Sequence, residues 1–268
     1  MPTRRRNHRF KNRPRRRFAR QILWVAVLAL AAGLVSAYAL SQGRDPRAAN
    51  DPSPVSSSTA GAGTEKAVPA EVVKIDVLGD SFVAGSVEGG SGTANWTRLV
   101  GTRFTAEGDT VELNVMAQPG SGYITRGNAG QLFREIATLR LREDADVVLV
   151  VGSRNDGEQT DEAMYQAAKS LYTDIQNRAP DAQIIAVGPI WPNDTPPDTI
   201  RANSGAMARA AGEEKVRYVD ALADGWFAGD DAGLISDNGV HPTDLGHEYL
   251  AEKMFPLLEE ALRQVRSS

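Results

Sequence analysis

Ser81, in Gly79-Asp80-Ser81-Phe82, follows an apolar run over residues 72–78 and sits where a strand should hand over to a loop. A hydroxyl held still and exposed at such a point meets the first requirement of a nucleophile. The other role open to Asp80 and Ser81 is to cap a helix. Asn155 lies in Gly152-Ser153-Arg154-Asn155-Asp156, just past the apolar stretch Val147–Val151. A side-chain amide aimed at an oxyanion from there would contribute about 3–4 kcal/mol to the transition state. Gln118-Pro119-Gly120-Ser121-Gly122 leaves a third apolar run through a glycine-rich turn whose backbone N–H groups can serve the same anion. Both segments also have the composition of ordinary turns. A serine nucleophile needs a base, and beyond residue 40 the chain offers two histidines, His241 and His247. His241 belongs to the loop-like Asp237-Asn238-Gly239-Val240-His241-Pro242-Thr243, beside an acid, whereas His247 falls within a helical pattern.

These residues need elements to position them. Residues 72–78, Val111–Ala117, Val147–Val151, Gln183–Val187 and residues 216–219 are short runs rich in branched apolar residues, as strands buried on both faces require. Between them, residues 96–104, 131–141, 160–178, 200–211 and 247–265 carry apolar residues at helical spacing. Strand–helix alternation predicts an α/β fold, a parallel sheet of about five strands with helices on both faces. Functional groups in such sheets gather beyond the carboxyl ends of the strands. Each of the four segments above falls at such an end. Trp191, after the fourth strand, could line a pocket or cover the sheet edge. Arg154 could meet an anionic substrate or form a surface ion pair.

Ahead of this region the chain changes character. Residues 1–20 hold ten Lys or Arg and no acid, and residues 22–40 form an uncharged, mostly apolar run. That length suits one transmembrane helix, with the basic block keeping the N-terminus cytoplasmic and the remainder extracellular. The alternative is a signal peptide cleaved near Ala39, after Ala37-Tyr38-Ala39. Residues 41–70, rich in Ser, Pro, Ala and Gly, read as a disordered linker. The division is then a basic tail at 1–20, an anchor or signal at 21–40, the linker at 41–70 and one folded domain at 71–268. Of 30 basic and 34 acidic residues, the tail takes ten cations, leaving 20 against 34 beyond residue 40, a net of −14. An acidic exterior disfavours nucleic acid as a partner. There is no cysteine, so neither disulfides nor thiolate metal sites are available.

Taken together, the four segments resemble the SGNH, or GDSL-type, hydrolases, in family order from Val72 to the C-terminal helix. The resemblance implies a flavodoxin-like three-layer α/β/α sandwich that hydrolyses or transfers acyl esters with no metal and no cofactor. It implies Ser81 as nucleophile and His241 as base. It also implies an oxyanion hole from the Ser81 N–H, the Gly120 N–H and the Asn155 amide, with Gly122 the close alternative to Gly120. Two positions depart from the family. Ser153 stands where the Gly-x-Asn-Asp block has glycine, and Asn238, three residues before His241, stands where the family has aspartate. Asp237 is one residue earlier; a slip of the loop would let it orient His241, and otherwise Asn238 takes that place. The expected function is an exported serine esterase acting on a lipid or O-acylated glycan ester. Acyl transfer to an envelope glycan and a catalytically degenerate, membrane-tethered glycan-binding module are the alternatives.

Overall fold

Val147–Val151, five consecutive branched residues, is buried at every position and forms the middle strand of a parallel sheet. A computed structural model describes residues 72–152, 154–229 and 233–267. The strands are β1 (Val73–Gly79), β2 (Val111–Ala117), β3 (Val147–Val151), β4 (Gln183–Val187) and β5 (Arg217–Val219). They run parallel in the order β2-β1-β3-β4-β5, the flavodoxin-like arrangement. The helices are α1 (Ser81–Ala84), α2 (Trp96–Ala106), α3 (Phe133–Arg140), α4 (Asp161–Arg178), α5 (Asp198–Glu213) and α6 (Asp244–Val265).

Alternation along each strand sorts the core into two layers. Val73, Ile75, Val77, Val147, Leu149 and Val151 face α2 and α6, which contribute Trp96, Phe104, Leu250 and Phe255. Leu78, Val148, Val150 and Ala186 face the other way, against Phe133 of α3, Tyr172 of α4 and Met207 of α5. The three-layer α/β/α expectation holds, with five strands. Residues 216–219 shorten to β5 because Lys215 takes φ 57 and the Val216 N–H closes onto the Ala211 carbonyl at 2.8 Å, giving Val216 to the exit turn of α5. The basic tail, the apolar span and the linker lie outside the described residues. No helix among the described residues is long and apolar enough to cross a membrane.

Register is what builds the site. Gly79, the last residue of β1, pairs with Ala117 at the end of β2 and with Val151 at the end of β3, while Val151 pairs with Val187 of β4. Four strands therefore stop at one level, and the loops after β1, β2 and β3 emerge side by side, roughly 4.8 Å apart per strand. β1 is also where the chain order reverses, with β2 on one side and β3 on the other, the crevice where open α/β sheets place ligands. Gly79 permits an abrupt exit: a Cβ there would lie 2.3 Å from Val83 Cγ2 of the one-turn helix that folds back over the strand end.

Candidate active site

Asp80 and Ser81 occupy the β1 exit. Asp80 is 1% exposed and Ser81 7%. Asp80 Oδ1 accepts from the Phe82 N–H at 2.9 Å, starting α1, so capping chemistry is present and belongs to Asp80. Its Oδ2 accepts from Asn155 Nδ2 at 3.0 Å. Burial pushes the Asp80 carboxyl up to about 7, against the pull of the Phe82 N–H and the Arg154 charge. Ser81 is left as the first residue of the turn, and its N–H has no acceptor among the described residues.

The β2 exit is a loop held by its neighbour. Asp156, fully buried, accepts from the N–H groups of Tyr123 at 2.8 Å, Ile124 at 3.0 Å and Thr125 at 2.8 Å. Three N–H groups on one carboxylate fix the path of the glycine-rich segment. In the sequence Asp156 is legible as the neighbour of Asn155 but not as the holder of the next loop. Within the loop, Gly122 donates to the Thr125 carbonyl at 2.9 Å. Gly120, at φ 77, presents an N–H with no acceptor among the described residues. The two glycines are thus distinguished, and Gly120 has the available donor.

Asn155, at the β3 exit, bridges the other two loops. Its Nδ2 donates to Asp80 and, at 2.8 Å, to the Ser121 carbonyl. Both amide protons are engaged, so the side chain is a strut between the Ser81 loop and the Gly120 loop. Ser153 lies outside the described residues. Among the described residues Arg154 forms no ion pair: its half-buried guanidinium lies 4.4 Å from the Trp191 ring centroid and donates to the Val240 carbonyl at 3.3 Å. That contact ties the β3 exit to the histidine loop, and Trp191 is its platform. A small crevice beside Ser81 is lined by Asp80, Phe82, Val151, Gly152, Arg154 and Ile190.

The histidine loop does not slip to present Asp237. Asp237 is exposed and makes no hydrogen bond or ion pair among the described residues. Asn238 takes the position instead, because its Oδ1 organises the turn. That oxygen accepts from the Val240 N–H at 2.8 Å, the His241 N–H at 3.0 Å and the Ser236 hydroxyl at 2.8 Å. Its Nδ2 is then left 3.0 Å from His241 Nδ1 and 2.9 Å from Glu88 Oε1. Glu88 Oε2 stands 3.6 Å from the same Nδ1. Glu88 was missed in the sequence, although it is the single acid between Ser81 and Ala106.

His247 is no competitor as base. It is fully buried, its Nδ1 accepts from the Trp96 N–H at 3.4 Å, and its Nε2 has no partner among the described residues. Burial pulls its pKa down from 6.5 to about 4, so the ring is neutral packing. Its ring lies against Gly90, where a Cβ would fall 2.1 Å from Nε2, and the Gly90 N–H donates to Asp244 Oδ1 at 2.9 Å. The segment carrying Glu88 is thereby pinned to the start of α6, directly after His241. Among the described residues, no group of three or more His, Cys, Asp or Glu is arranged to hold a metal ion.

Known proteins resemble this chain in sequence and in fold. Residues 77–249 match the GDSL-like lipase/acylhydrolase family. A GDSL lipase of Mycobacterium tuberculosis is 36% identical over 194 residues, covering 70% of this chain and 82% of that protein. Among crystal structures, TesA is similar with a TM-score of 0.58 at 23% identity, over 70% of this chain and 99% of its own. A lipase/acylhydrolase from Enterococcus faecalis is similar with a TM-score of 0.58 at 16% identity, over 70% of this chain and 96% of its own. The two structural likenesses bear on the fold alone. The match across most of the folded region and the mycobacterial relative carry the assignment further: the chain belongs to the GDSL-like lipase/acylhydrolase family of SGNH serine esterases.

Proposed function

We propose that the protein is an exported ester hydrolase that works through an acyl-serine intermediate on Ser81. One observation carries the reading. The N–H groups of Ser81 and Gly120, on loops leaving adjacent in-register strands, lack acceptors among the described residues. Preorganised donors of this kind suit a charge that exists only in the transition state. His241 Nε2 takes the Ser81 proton as Oγ bonds to the ester carbonyl carbon. The carbonyl oxygen, now an anion, is held by the Ser81 and Gly120 N–H groups. The Asn155 amide joins them by turning one N–H away from the Ser121 carbonyl. As the tetrahedral centre collapses, the C–O bond to the alcohol breaks and the imidazolium returns its proton to the departing oxygen. Water repeats the sequence on the acyl-serine, releasing the acid. Each step needs protein groups and water alone.

The test is Ser81→Ala in the full chain, assayed on a short-chain nitrophenyl ester. Turnover should fall at least about a thousandfold, with folding unchanged by circular dichroism. Retained turnover would remove Ser81 from the mechanism.

We further place the folded region outside the cytoplasm, tethered through residues 22–40. The motivating observation is ten cations in residues 1–20 ahead of an uncharged apolar run of spanning length. Expressed in a bacterium, the full chain should sediment with membranes, resist carbonate extraction, and be digested by protease added outside spheroplasts. Release into the medium with a new N-terminus after Ala39 would select the cleaved alternative; protection from external protease would refute export.

A further inference from the structure

His241 has an orienting problem that Asn238 does not solve. Asn238 Oδ1 is committed to the Val240 N–H, the His241 N–H and the Ser236 hydroxyl. Turning it toward the ring would break all three bonds. The amide therefore shows His241 Nδ1 an N–H, at 3.0 Å. An N–H facing Nδ1 requires a lone pair there, which puts the ring proton on Nε2. In that tautomer Nε2 cannot accept a proton from serine. The imidazolium is disfavoured too, because its Nδ1–H would point at another donor. Asn238 alone thus opposes both forms of the base that the cycle needs.

The geometry points to Glu88 as the positioning acid of this site, an acceptor for the Nδ1–H of His241 supplied from the nucleophile's own loop in place of the aspartate expected before the histidine. This rests on the assignment of Ser81 and His241 above. Glu88 Oε2 lies 3.6 Å from Nδ1, and the ring and carboxylate are both about one quarter exposed, at 28% and 27%. Its other oxygen accepts Asn238 Nδ2 at 2.9 Å. Asn238 thereby becomes a bracket: one face fixes the turn, the other steadies Glu88. A small swing of the imidazole moves Nδ1 from the amide to the carboxylate. The Nδ1–H then faces Oε2, Nε2 carries its lone pair, and the imidazolium that forms on proton transfer meets a negative charge. The carboxylate can hold this place because the backbone on its C-terminal side is fixed. Gly89 packs on the backbone of Thr243 and Asp244, and Gly90 on His247 and Asp244. Within the same loop, the Ser86 N–H bonds to the Gly89 carbonyl at 2.8 Å and the Glu88 N–H to Ser86 Oγ at 3.2 Å. Among the described residues Asp237 makes no ion pair with His241, whereas Glu88 lies within 4 Å of the ring.

The test uses the full chain and a short-chain nitrophenyl ester. Glu88→Gln keeps the side-chain length and an acceptor for Asn238 but removes the charge. A partly solvated acid contributes less than a buried one, so kcat should fall about ten- to a hundredfold, with KM within about twofold. Adding Asn238→Asp to Glu88→Gln returns a carboxylate from the other side of the ring and should recover most of the loss. Wild-type kcat in Glu88→Gln overturns the proposal. So does a loss that Asn238→Asp leaves unrepaired, which would mean that Glu88 only shapes the loop. A measurement on the unmutated chain stands independently of any variant's folding. Nitrogen-15 spectra of His241 should show the neutral ring protonated at Nδ1, and a ring protonated at Nε2 overturns the proposal. If Ser81→Ala retains turnover, the catalytic reading itself falls; if Ser81→Ala is inactive while Glu88→Gln is unaffected, only the role of Glu88 falls.

Discussion

At the scale of single residues, two buried groups change stability with pH in opposite senses. His247 has its pKa lowered from 6.5 to about 4 by burial, so the unfolded chain takes up its proton first as the solution is acidified. Its contribution to stability is therefore full above pH 6.5 and lost as pH falls towards 4. Asp80 has its pKa raised from 3.8 to about 7, again by burial. Its folded form holds a proton that the unfolded form releases, so its contribution is full below pH 3.8 and lost as pH rises through 7. The two slopes have opposite signs over nearly the same window and mask one another in the wild type. Subtraction separates them. His247→Gln, compared with wild type by urea unfolding, should gain relative stability as pH drops from 7 to 4, by up to about 3 kcal/mol. A difference independent of pH would show that His247 is not held neutral by its pocket. Single residues were also where the sequence misled. Asp237 carries the right charge one position from the family's acid, but the charge is not what sets the turn. Three donors converge on Asn238 Oδ1, and that local bonding decides which side chain faces the imidazole.

Elements act here by stopping together. β1, β2 and β3 end in register, and the loops beyond them are tied by two adjacent residues of the β3 exit. Asn155 straps the Ser81 loop to the Gly120 loop, and Asp156 gathers the N–H groups of Tyr123, Ile124 and Thr125. Asp156→Ala would strand the buried Tyr123 N–H and the partly buried N–H groups of Ile124 and Thr125, and free the loop that presents Gly120. We expect a loss of about 3 kcal/mol in unfolding free energy and at least a tenfold fall in kcat/KM. Unfolding and ester hydrolysis measured on the same preparation check both; a variant as stable and as active as wild type would contradict the arrangement. The strands themselves were legible. Val111–Ala117, Val147–Val151 and Gln183–Val187 have the bounds read from the chain. The second and third are branched apolar runs buried on both faces, whereas the first, with Glu112 and Asn114, is an edge strand in which Met116 alone is buried. Helix ends moved by up to three residues where caps decided them. Thr243, whose hydroxyl accepts the Gly246 N–H at 3.2 Å, starts α6 ahead of the periodic apolar positions.

For the whole molecule, the sequence alone determined the layer architecture, the order of the four motif segments and the identities of the nucleophile and base candidates. The layers follow from periodicity and the candidates from turn residues and the scarcity of histidine beyond residue 40, while the order of the segments and the choice of Ser81 and His241 are what the resemblance to the family implies. Tertiary structure alone decided three matters. It chose Gly120 over Gly122 as the open donor, since the Thr125 carbonyl occupies the Gly122 N–H. It turned Asn155 into a strut and Asp156 into the clamp of the neighbouring loop. It brought Glu88 to His241 across about 150 residues of chain, through packing of Gly89 and Gly90 on the first turn of α6. The physical reason is the same in each case. Which hydrogen-bonding partner a polar group meets depends on how separate loops pack above the sheet, and no local pattern of residues encodes that distance.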